Sequence, residues 1–446
     1  MPHARDGAPP GFLGPSLRSL PFIFVPGTSP SARVDRVSSP LRTFTLGRAY
    51  DIVEPLLARL AAACPGIRDL TPAGGIRRFE PLVDDLTIVG WASDPESALA
   101  AVSGLPELTI LQRTPRRLEL LDHQHNPIDI HIAARDEYGT VLVTTTGSER
   151  HVAALHKRRG RIRLCSTEAE VYADAGLAWV PPEMRQGTGE VEAAARGALP
   201  VLLEESQIRG DLHMHSTYSD GQDTLETMVA GAQAAGYDYI AITDHSERAG
   251  AARTVSIEAL ERQRDEIAAL REQYPGMEIL HGIEVDIMPD GSLDFPDTVL
   301  ATLDIVLASL HDAAGQSPRA LTRRCIGAIR HPLVSVITHP ANRIVGRRPG
   351  YALDYPAVFA AAVEAGTALE IDGAPSHMDM DGEQARAAVE AGVTVVVDGD
   401  AHRAAALRRH MRFGVGTARR GWVEARHVLN TRAAAEVREF VTAKRR

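Results

Sequence analysis

The sequence predicts an α/β protein in which a parallel barrel occupies the C-terminal half and a smaller α+β domain precedes it. The 446 residues exceed what one hydrophobic core usually serves. From residue 209 onward, short apolar runs alternate with alanine-rich stretches of helical period, which is typical of parallel strands covered by helices. Seven such runs favour a closed or nearly closed barrel over an open sheet, although the sequence alone leaves closure open.

The elements can be placed in order along the chain. Residues 1–40 are rich in Pro, Gly, Ser and Arg without apolar periodicity, which predicts a disordered tail. A helical apolar stripe begins at Leu46 and ends near Pro65. Strand-like runs of the smaller domain follow at 82–90, 109–111, 117–121, 127–133 and 140–144. The seven runs of the barrel are 211–213, 239–243, 278–285, 305–309, 334–338, 368–371 and 394–397.

Composition and charge narrow the classes of function. Apolar residues make up 44% of the chain and no apolar run is long enough to cross a bilayer, so we expect a cytoplasmic protein rather than a membrane protein. The three cysteines are widely spaced, which indicates neither a disulfide framework nor a thiolate metal site. The net charge of −10 predicts weak binding of long nucleic acid unless metal ions and a local arginine patch offset the repulsion.

Histidines and carboxylates follow the ends of the predicted barrel strands. Six histidines and three carboxylates share this placement: His213, His215, Asp220, His245, Glu284, His311, His339, Asp400 and His402. The carboxyl ends of parallel barrel strands meet at one mouth, so these side chains are expected to converge. Each alone could be a turn former or a hydrogen-bonded loop residue, but so many at successive strand ends are not expected from chance. Four other histidines lack this placement and are expected to be structural: His281, His331, His410 and His427.

The ligand types indicate which metals and which reaction to expect. Imidazoles and carboxylates suit Zn²⁺, Mn²⁺ or Fe²⁺, and this many ligands exceed the needs of one ion, so two or three divalent ions are predicted. Such ions polarise a phosphoryl oxygen and activate water as a nucleophile near neutral pH. The pattern therefore predicts metal-dependent hydrolysis of a phosphate ester, with no catalytic residue assigned besides the ligands.

Four motifs carry a resemblance to a known family. RGDLHMHSTYSDG (209–221), AITDHS (241–246), ITHP (337–340) and DAH (400–402) resemble the PHP (polymerase and histidinol phosphatase) domain, in the version at the C-terminus of bacterial family X DNA polymerases. The resemblance implies a distorted (β/α)7 barrel with a trinuclear metal site and the same set of ligands. It places Glu284 between two metals and Arg343 against a substrate phosphate. It also implies removal of nucleotides from DNA 3′ ends and cleavage at abasic sites, commonly with manganese.

Two positions depart from the pattern of that family. Gly399 stands where Ser or Thr usually precedes the Asp-Ala-His motif, and His377 stands where an arginine is common. Neither change removes a predicted ligand. Both could alter how the substrate phosphate or base is held, so the resemblance defines the chemistry more closely than the substrate.

The N-terminal half resembles the palm and thumb of the same polymerases, a nucleotidyltransferase-like domain. AGGIRR (73–78), DLT (85–87), IDIH (128–131) and TGS (146–148) occur in the order of that family. Nucleotidyl transfer needs two aspartates alternating on one strand and a third on its neighbour, so that two Mg²⁺ ions share them. The chain offers Asp85 and Asp129, but Thr87 replaces the second aspartate of the strand.

The resemblances together predict three regions and leave alternative functions open. The regions are a tail (1–40), a degenerate polymerase domain (41–200) and a PHP domain (208–446). In the first alternative, the chain hydrolyses DNA at 3′ ends or abasic sites, with Arg343, Arg77 and Arg78 as substrate contacts. In the second, it removes phosphate from a small metabolite, as histidinol phosphatases do. In the third, the N-terminal domain serves only for interaction or nucleotide sensing. A continuous arginine path from Arg77 and Arg78 to Arg343, Arg347 and Arg348 would favour DNA. A closed pocket the size of one phosphate ester would favour the metabolite.

Overall fold

The computed structural model describes residues 43–250 and 253–445, which belong to one compact unit. The predicted tail at 1–40 lies outside these residues. Packing joins the two halves of the described chain, because Phe413 from the C-terminal half shares a buried cluster with Tyr50 and Val53. The predicted division between 200 and 208 stays a prediction.

The N-terminal half is built around a mixed sheet. Its strands are β1 (Phe44–Thr45), β2 (Arg68–Pro72), β3 (Leu82–Val83), β4 (Thr87–Trp91), β5 (Thr109–Arg113), β6 (Arg117–Leu121) and β7 (Pro127–Ala133). Five of them form one sheet in the order β2-β4-β7-β6-β5, in which β4 and β7 are parallel and the other neighbours are antiparallel. β1 and β3 form a separate antiparallel pair.

Helices cover this sheet and continue toward the barrel. They are α1 (Leu46–Ala63), α2 (Gly74–Arg77), α3 (Pro95–Ser103), α4 (Tyr138–Thr146), α5 (Glu149–Arg159), α6 (Glu168–Asp174) and α7 (Glu190–Ala195). The helix predicted from Leu46 is confirmed as α1, and the hydroxyl of Thr45 caps it by accepting a hydrogen bond from the backbone of Arg48. Its apolar stripe is buried in the N-terminal core.

The strand predicted at 140–144 is wrong, because these residues lie in helix α4. The prediction relied on a run of β-branched residues, which usually favours strands. The helix accommodates these hydroxyls, and its burial stabilises it. The hydroxyls of Thr144 and Thr145 donate to the carbonyls of Thr140 and Val141, one turn earlier, at 2.8 and 2.7 Å. Leu142 also packs in a buried cluster against the sheet. Tertiary burial therefore overrides local propensity here.

The C-terminal half is the predicted parallel barrel. Its strands are β8 (Gly210–Asp211), β9 (Tyr239–Ile242), β10 (Glu278–Asp286), β11 (Ile305–Ser309), β12 (Val336–Ile337), β13 (Ala368–Asp372) and β14 (Val395–Asp398). All neighbours are parallel and follow chain order from β8 to β14. A parallel bridge between Met214 and Ala401, just past β8 and β14, joins the two edges at the mouth. The prediction of a nearly closed seven-stranded barrel is confirmed.

Helices surround the barrel and close its base. They are α8 (Leu225–Ala235), α9 (Ile257–Gln273), α10 (Asp297–Leu300), α11 (Pro318–Ile329), α12 (Tyr355–Ala365), α13 (Gly382–Glu390), α14 (Leu407–Arg420) and α15 (Ala434–Thr442). Val437 and Val441 of α15 pack in one buried cluster with Leu280 and Ala368, which lie early in their strands. Helix α15 therefore covers the end of the barrel where the strands begin. The polar side chains at the carboxyl ends of the strands lie at the opposite end, the mouth. None of the described helices is long and apolar enough to span a membrane.

Candidate metal centre

The structure brings all nine predicted ligands together at the mouth of the barrel. Each follows or ends a strand, and three of them, His213, His215 and Glu284, are fully buried. Their side-chain atoms form three overlapping groups, each within 4.8 Å: His215 with Asp220, His245 and His402; His213 with His215 and Asp400; and His245 with Glu284 and His311. His339 joins the third group through Glu284, as its Nε2 lies 3.0 Å from Oε1.

Glu284 of β10 stands at the centre of the cluster, and its two oxygens face different imidazoles, three of them at Oε2 and two at Oε1. Oε2 lies 2.7 Å from Nδ1 of His245 and 3.4 Å from Nε2 of His213. Oε1 lies 3.0 Å from Nε2 of His339 and 3.3 Å from Nε2 of His311. A carboxylate that offers its two oxygens to different sets of imidazoles could serve two cations at once.

Two aspartates connect the remaining histidines. Oδ1 of Asp400 lies 3.0 Å from Nε2 of His215 and 3.6 Å from Nδ1 of His402. Oδ1 of Asp220 lies 3.2 Å from Nε2 of His402 and 3.5 Å from Nε2 of His245. His215 and His245 each take part in two of the three groups, as ligands of closely spaced ions do.

Several buried polar atoms of the cluster lack a hydrogen-bond partner, which is the test of whether cations fit. Asp220 Oδ1, His245 Nδ1 and Glu284 Oε2 are buried without one, since even the 2.7 Å contact between the last two lacks the geometry of a hydrogen bond. A buried carboxylate oxygen without a donor is costly unless a cation balances it. The donor set of nitrogen and oxygen atoms suits divalent transition metals. The residues present therefore fit a group of divalent cations.

The electrostatics of the cluster hold its side chains in different protonation states. Burial opposes protonation of His311 and His402, but the neighbouring carboxylates, chiefly Glu284 and Asp400, outweigh it and raise the pKa of His311 to about 10 and that of His402 to about 9, so these rings release a proton when a cation binds. Burial, reinforced by the charges of His245 and His402, lowers the pKa of His215 to about 3, so this imidazole is neutral at physiological pH. Burial opposes the ionisation of Glu284, but the charges of His311, His245 and His213 outweigh it and hold the pKa of this carboxyl well below its ordinary value. A neutral imidazole and an ionised carboxylate are the forms that coordinate metals.

Two carboxylates outside the predicted set orient the ligating rings. Nδ1 of His213 lies 2.6 Å from Oε1 of Glu370, and Nδ1 of His311 lies 2.7 Å from Oδ1 of Asp286. Each contact leaves Nε2 of the ring directed toward Glu284, as carboxylate–histidine pairs do in metal sites. Sequence reasoning missed both carboxylates. The signal for Glu370 was a charged residue between two apolar ones inside a buried strand.

The two departures from the family pattern both lie beside the cluster. His377 follows β13, and its Nδ1 lies 3.1 Å from Oδ2 of Asp372 and 3.6 Å from Oδ2 of Asp400. Its ring is 5.6 Å from that of His339. At Gly399, an added Cβ would meet Oδ2 of Asp211 at 2.7 Å, and this oxygen has no hydrogen-bond partner. The neighbourhood of the ligands thus differs from the family pattern at both positions.

The three arginines predicted to contact substrate are engaged within the protein. Arg343 donates from Nε to the carbonyl of His377 at 2.8 Å and also donates to the carbonyl of Met378. These bonds hold its side chain against the loop that follows β13. Arg77 pairs with Glu168 at 2.7 Å. Arg78 donates to the side chain of Glu80 and to the backbone carbonyl of Thr146. Their role as substrate contacts stays a prediction, and these bonds give each a structural role in the fold.

Where the resemblance places three polymerase aspartates, the structure has two aspartates and a threonine, which contact residues of the protein itself. Thr87 of β4 and Asp129 of β7 are direct neighbours across the parallel pair. The hydroxyl of Thr87 donates to Oδ2 of Asp85 at 2.6 Å. Arg117 donates from Nε to both oxygens of Asp129 at 2.8 and 2.9 Å. Nε2 of His131 lies 3.2 Å from the same carboxylate. Two carboxylates remain, and a guanidinium already neutralises one of them.

The chain is similar to proteins of known family. The profile of the PHP domain matches residues 211–329. The chain is 34% identical over 418 residues to the DNA polymerase/3'-5' exonuclease PolX of Bacillus subtilis, and the match covers 89% of this chain and 73% of that protein. It is 35% identical over 205 residues to a protein named probable phosphatase of a Thermoanaerobacter species, with coverage of 43% of this chain and 78% of that one.

One solved structure is weakly similar to part of the chain. It is the crystal structure of histidinol phosphate phosphatase from Lactococcus lactis, complexed with zinc, L-histidinol and phosphate. The alignment covers 48% of this chain and 94% of that chain, with 17% sequence identity and a TM-score of 0.39. This likeness is too weak to bear on the fold or the function.

Proposed function

Because the chain belongs to the family of bacterial family X DNA polymerases that carry a PHP domain, and is a metal-dependent phosphoesterase, we propose that it hydrolyses phosphodiester bonds at DNA 3′ ends and abasic sites. The observation that carries this proposal is the complete ligand cluster around Glu284, with His245 2.7 Å from one oxygen and His339 3.0 Å from the other. The polymerase carboxylates, by contrast, are incomplete. The chain therefore has the side chains that hydrolysis needs and lacks a carboxylate that nucleotidyl transfer needs.

In this proposal the nine clustered side chains hold two or three divalent ions, of which Mn²⁺, Zn²⁺ and Fe²⁺ are the candidates. When bound, such ions polarise a phosphoryl oxygen and activate water. The residues of the chain hold the geometry: Glu370 fixes the ring of His213 at 2.6 Å, and Asp286 fixes that of His311 at 2.7 Å. Thr338 donates to Oε1 of Glu284 at 3.0 Å and so restrains the central carboxylate.

The second candidate function is removal of phosphate from a small metabolite. It is favoured by the match to the protein named probable phosphatase, which covers 78% of that protein but 43% of this chain. The net charge of −10 also disfavours long polyanions unless local charge offsets it. In this alternative the N-terminal half would serve for interaction or nucleotide sensing.

One experiment separates the two functions. A 5′-labelled single-stranded oligonucleotide and histidinol phosphate are incubated in parallel with the protein and Mn²⁺, and the products are followed by gel and by phosphate release. We expect a ladder of oligonucleotides shortened from the 3′ end, and cleavage of a second oligonucleotide at an internal abasic site. EDTA is expected to stop both reactions. Phosphate release from histidinol phosphate beside an intact oligonucleotide would instead establish the metabolite function.

We also expect no template-directed synthesis. Thr87 cannot bind Mg²⁺ as an aspartate does, and Arg117 and His131 hold Asp129, so two ions cannot be shared. Extension of a gapped primer with all four nucleotides should be undetectable, with the Bacillus subtilis relative as the positive control. The Thr87→Asp variant should remain inactive, because Arg117 still neutralises Asp129. Measurable templated incorporation by the wild type would refute this prediction.

A further inference from the structure

A groove of about 630 Å³ lies where the N-terminal half meets the mouth of the barrel. One wall comes from the start of α1, with Thr45 and Arg48. The other walls come from the loop after β12, with Arg347, and from the loops after β13 and β14, with Ser376 and Arg403. These residues are far apart in sequence, so only the packing of the two halves forms the groove. We call it the arginine groove.

The arginine groove presents positive charge that the protein itself does not neutralise. Arg48, Arg347 and Arg403 are exposed. Among the described residues, the guanidiniums of Arg347 and Arg403 have no ion pair, and Arg48 donates only to the amide oxygen of Gln124. The carboxylate in the groove, Asp51, is paired with Arg409, at 2.7 Å. The groove therefore carries a net positive charge in a chain whose total is −10.

The backbone connects this groove directly to the ligand cluster. Arg403 follows the ligand His402. Ser376 precedes His377, whose Nδ1 lies 3.6 Å from the ligand Asp400. His410 lines the groove and lies 2.7 Å from the carbonyl oxygen of Gly399, the residue before Asp400. The loops that hold the cluster are thus also the walls of the arginine groove.

We propose that the arginine groove binds the phosphates of a single-stranded nucleic acid whose 3′ end lies in the ligand cluster, an inference that rests on the proposed function. Guanidinium groups donate paired hydrogen bonds to phosphate oxygens, and such contacts position a strand without reading its sequence. No Phe, Tyr or Trp lines the groove, so it lacks the aromatic platform on which bases stack. Binding only the sugar-phosphate backbone of the strand makes recognition independent of the base sequence. Of the arginine path predicted from the sequence, the groove keeps Arg347. The other predicted arginines, Arg77, Arg78, Arg343 and Arg348, are engaged internally.

The direct test measures binding rather than cleavage. Binding of a labelled single-stranded 20-mer is followed by fluorescence anisotropy in EDTA, for the wild type and for an Arg48→Gln/Arg347→Gln variant. We expect the Kd of the variant to rise about tenfold at low salt, and the slope of log K against log salt to shrink by about 1.4, because each lost contact with single-stranded phosphate removes about 0.7. Homopolymer and mixed-sequence strands should behave alike.

A charge-matched control is available on α11. Arg319 and Arg323 are exposed there and do not line the groove, so the Arg319→Gln/Arg323→Gln variant should bind as the wild type does. Absent binding by the wild type, or equal Kd values for the groove variant and the wild type, would overturn the inference. Melting curves verify that the variants fold. Cleavage is scored separately: a strand that binds in the groove but stays intact with Mn²⁺ would refute the proposed function and leave the groove in place.

Discussion

A variant in which His213 and His215 are both alanine is expected to lose hydrolysis of DNA and of small phosphate diesters alike, with kcat/KM reduced about a thousandfold or more. The Nε2 atoms of the two rings lie 3.1 Å apart, and that of His215 lies 3.0 Å from Asp400. Both rings lie beside Asp400 and Glu284, and their loss would remove two nitrogen ligands from the cations that these carboxylates are proposed to hold. Initial rates with Mn²⁺ on an oligonucleotide and on bis(p-nitrophenyl) phosphate measure the loss.

Metal content distinguishes loss of the site from loss of the fold. The wild type should retain two or three divalent ions per chain by mass spectrometry, and the double variant fewer. A His331→Ala variant serves as the matched control, because His331 contacts the exposed Asp297 at 3.3 Å, away from the ligands, and should keep activity within about twofold. Asp220→Asn, a change of nearly constant size, provides a second variant should the double variant fold poorly. Full activity and metal content in both ligand variants would contradict the assignment of the cluster.

The convergence of the nine side chains could be predicted from sequence because their placement follows from local order. A parallel strand delivers the residues at its carboxyl end to a common mouth, so recognising the strands was enough to predict that His245, His339 and Asp400 would meet. Strand order then followed the chain, from β8 to β14. No long-range information was needed beyond the alternation of strands and helices. The fold and the site were therefore predictable together.

The partners of individual side chains were not predictable in this way. Glu370 lies 157 residues from His213, and no local pattern links them. Arg77 and Arg78 occupy a motif that suggested DNA contacts. The guanidinium of Arg77 instead donates two hydrogen bonds to Glu168, 91 residues away, and one to the hydroxyl of Thr146. The arginine groove likewise arises from residues on both halves. Such pairings depend on how elements pack, which periodicity and propensity do not encode.

Glu168 itself leads to the largest expected effect on stability. Replacing Glu168 by glutamine should lower the free energy of unfolding by about 3–5 kcal/mol, the range for breaking a buried ion pair. Oε1 of Glu168 lies 2.7 Å from Nη1 of Arg77 and 2.6 Å from Nη1 of Arg185. The side chain of Arg185 is fully buried, so the variant would leave its charge without a counterion. Urea denaturation at pH 7 measures the change.

The control is the same chemical change at an exposed site. Glu192 lies on α7 and is exposed, so Glu192→Gln should alter the free energy of unfolding by less than about 0.5 kcal/mol. Activity on bis(p-nitrophenyl) phosphate at low temperature should survive in folded Glu168→Gln protein, since Glu168 belongs to the N-terminal half. An effect of Glu168→Gln as small as that of Glu192→Gln would contradict a stabilising role for this ion pair.

The pH dependence of stability tests the same ion pair without removing an atom. Burial opposes the ionisation of Glu168, but the hydrogen bonds and charges of Arg77 and Arg185 outweigh it and lower its pKa to about 2, from 4.5. Because the pKa in the folded state is the lower one, the stabilisation is fully present above pH 4.5 and is lost as the pH falls toward 2. The difference corresponds to about 3 kcal/mol, in agreement with the effect expected from mutation. The difference in unfolding free energy between the wild type and the Glu168→Gln variant should therefore become smaller as the pH falls from 6 to 3. A difference that stays constant over this range would show that other groups stabilise the charge of Arg185.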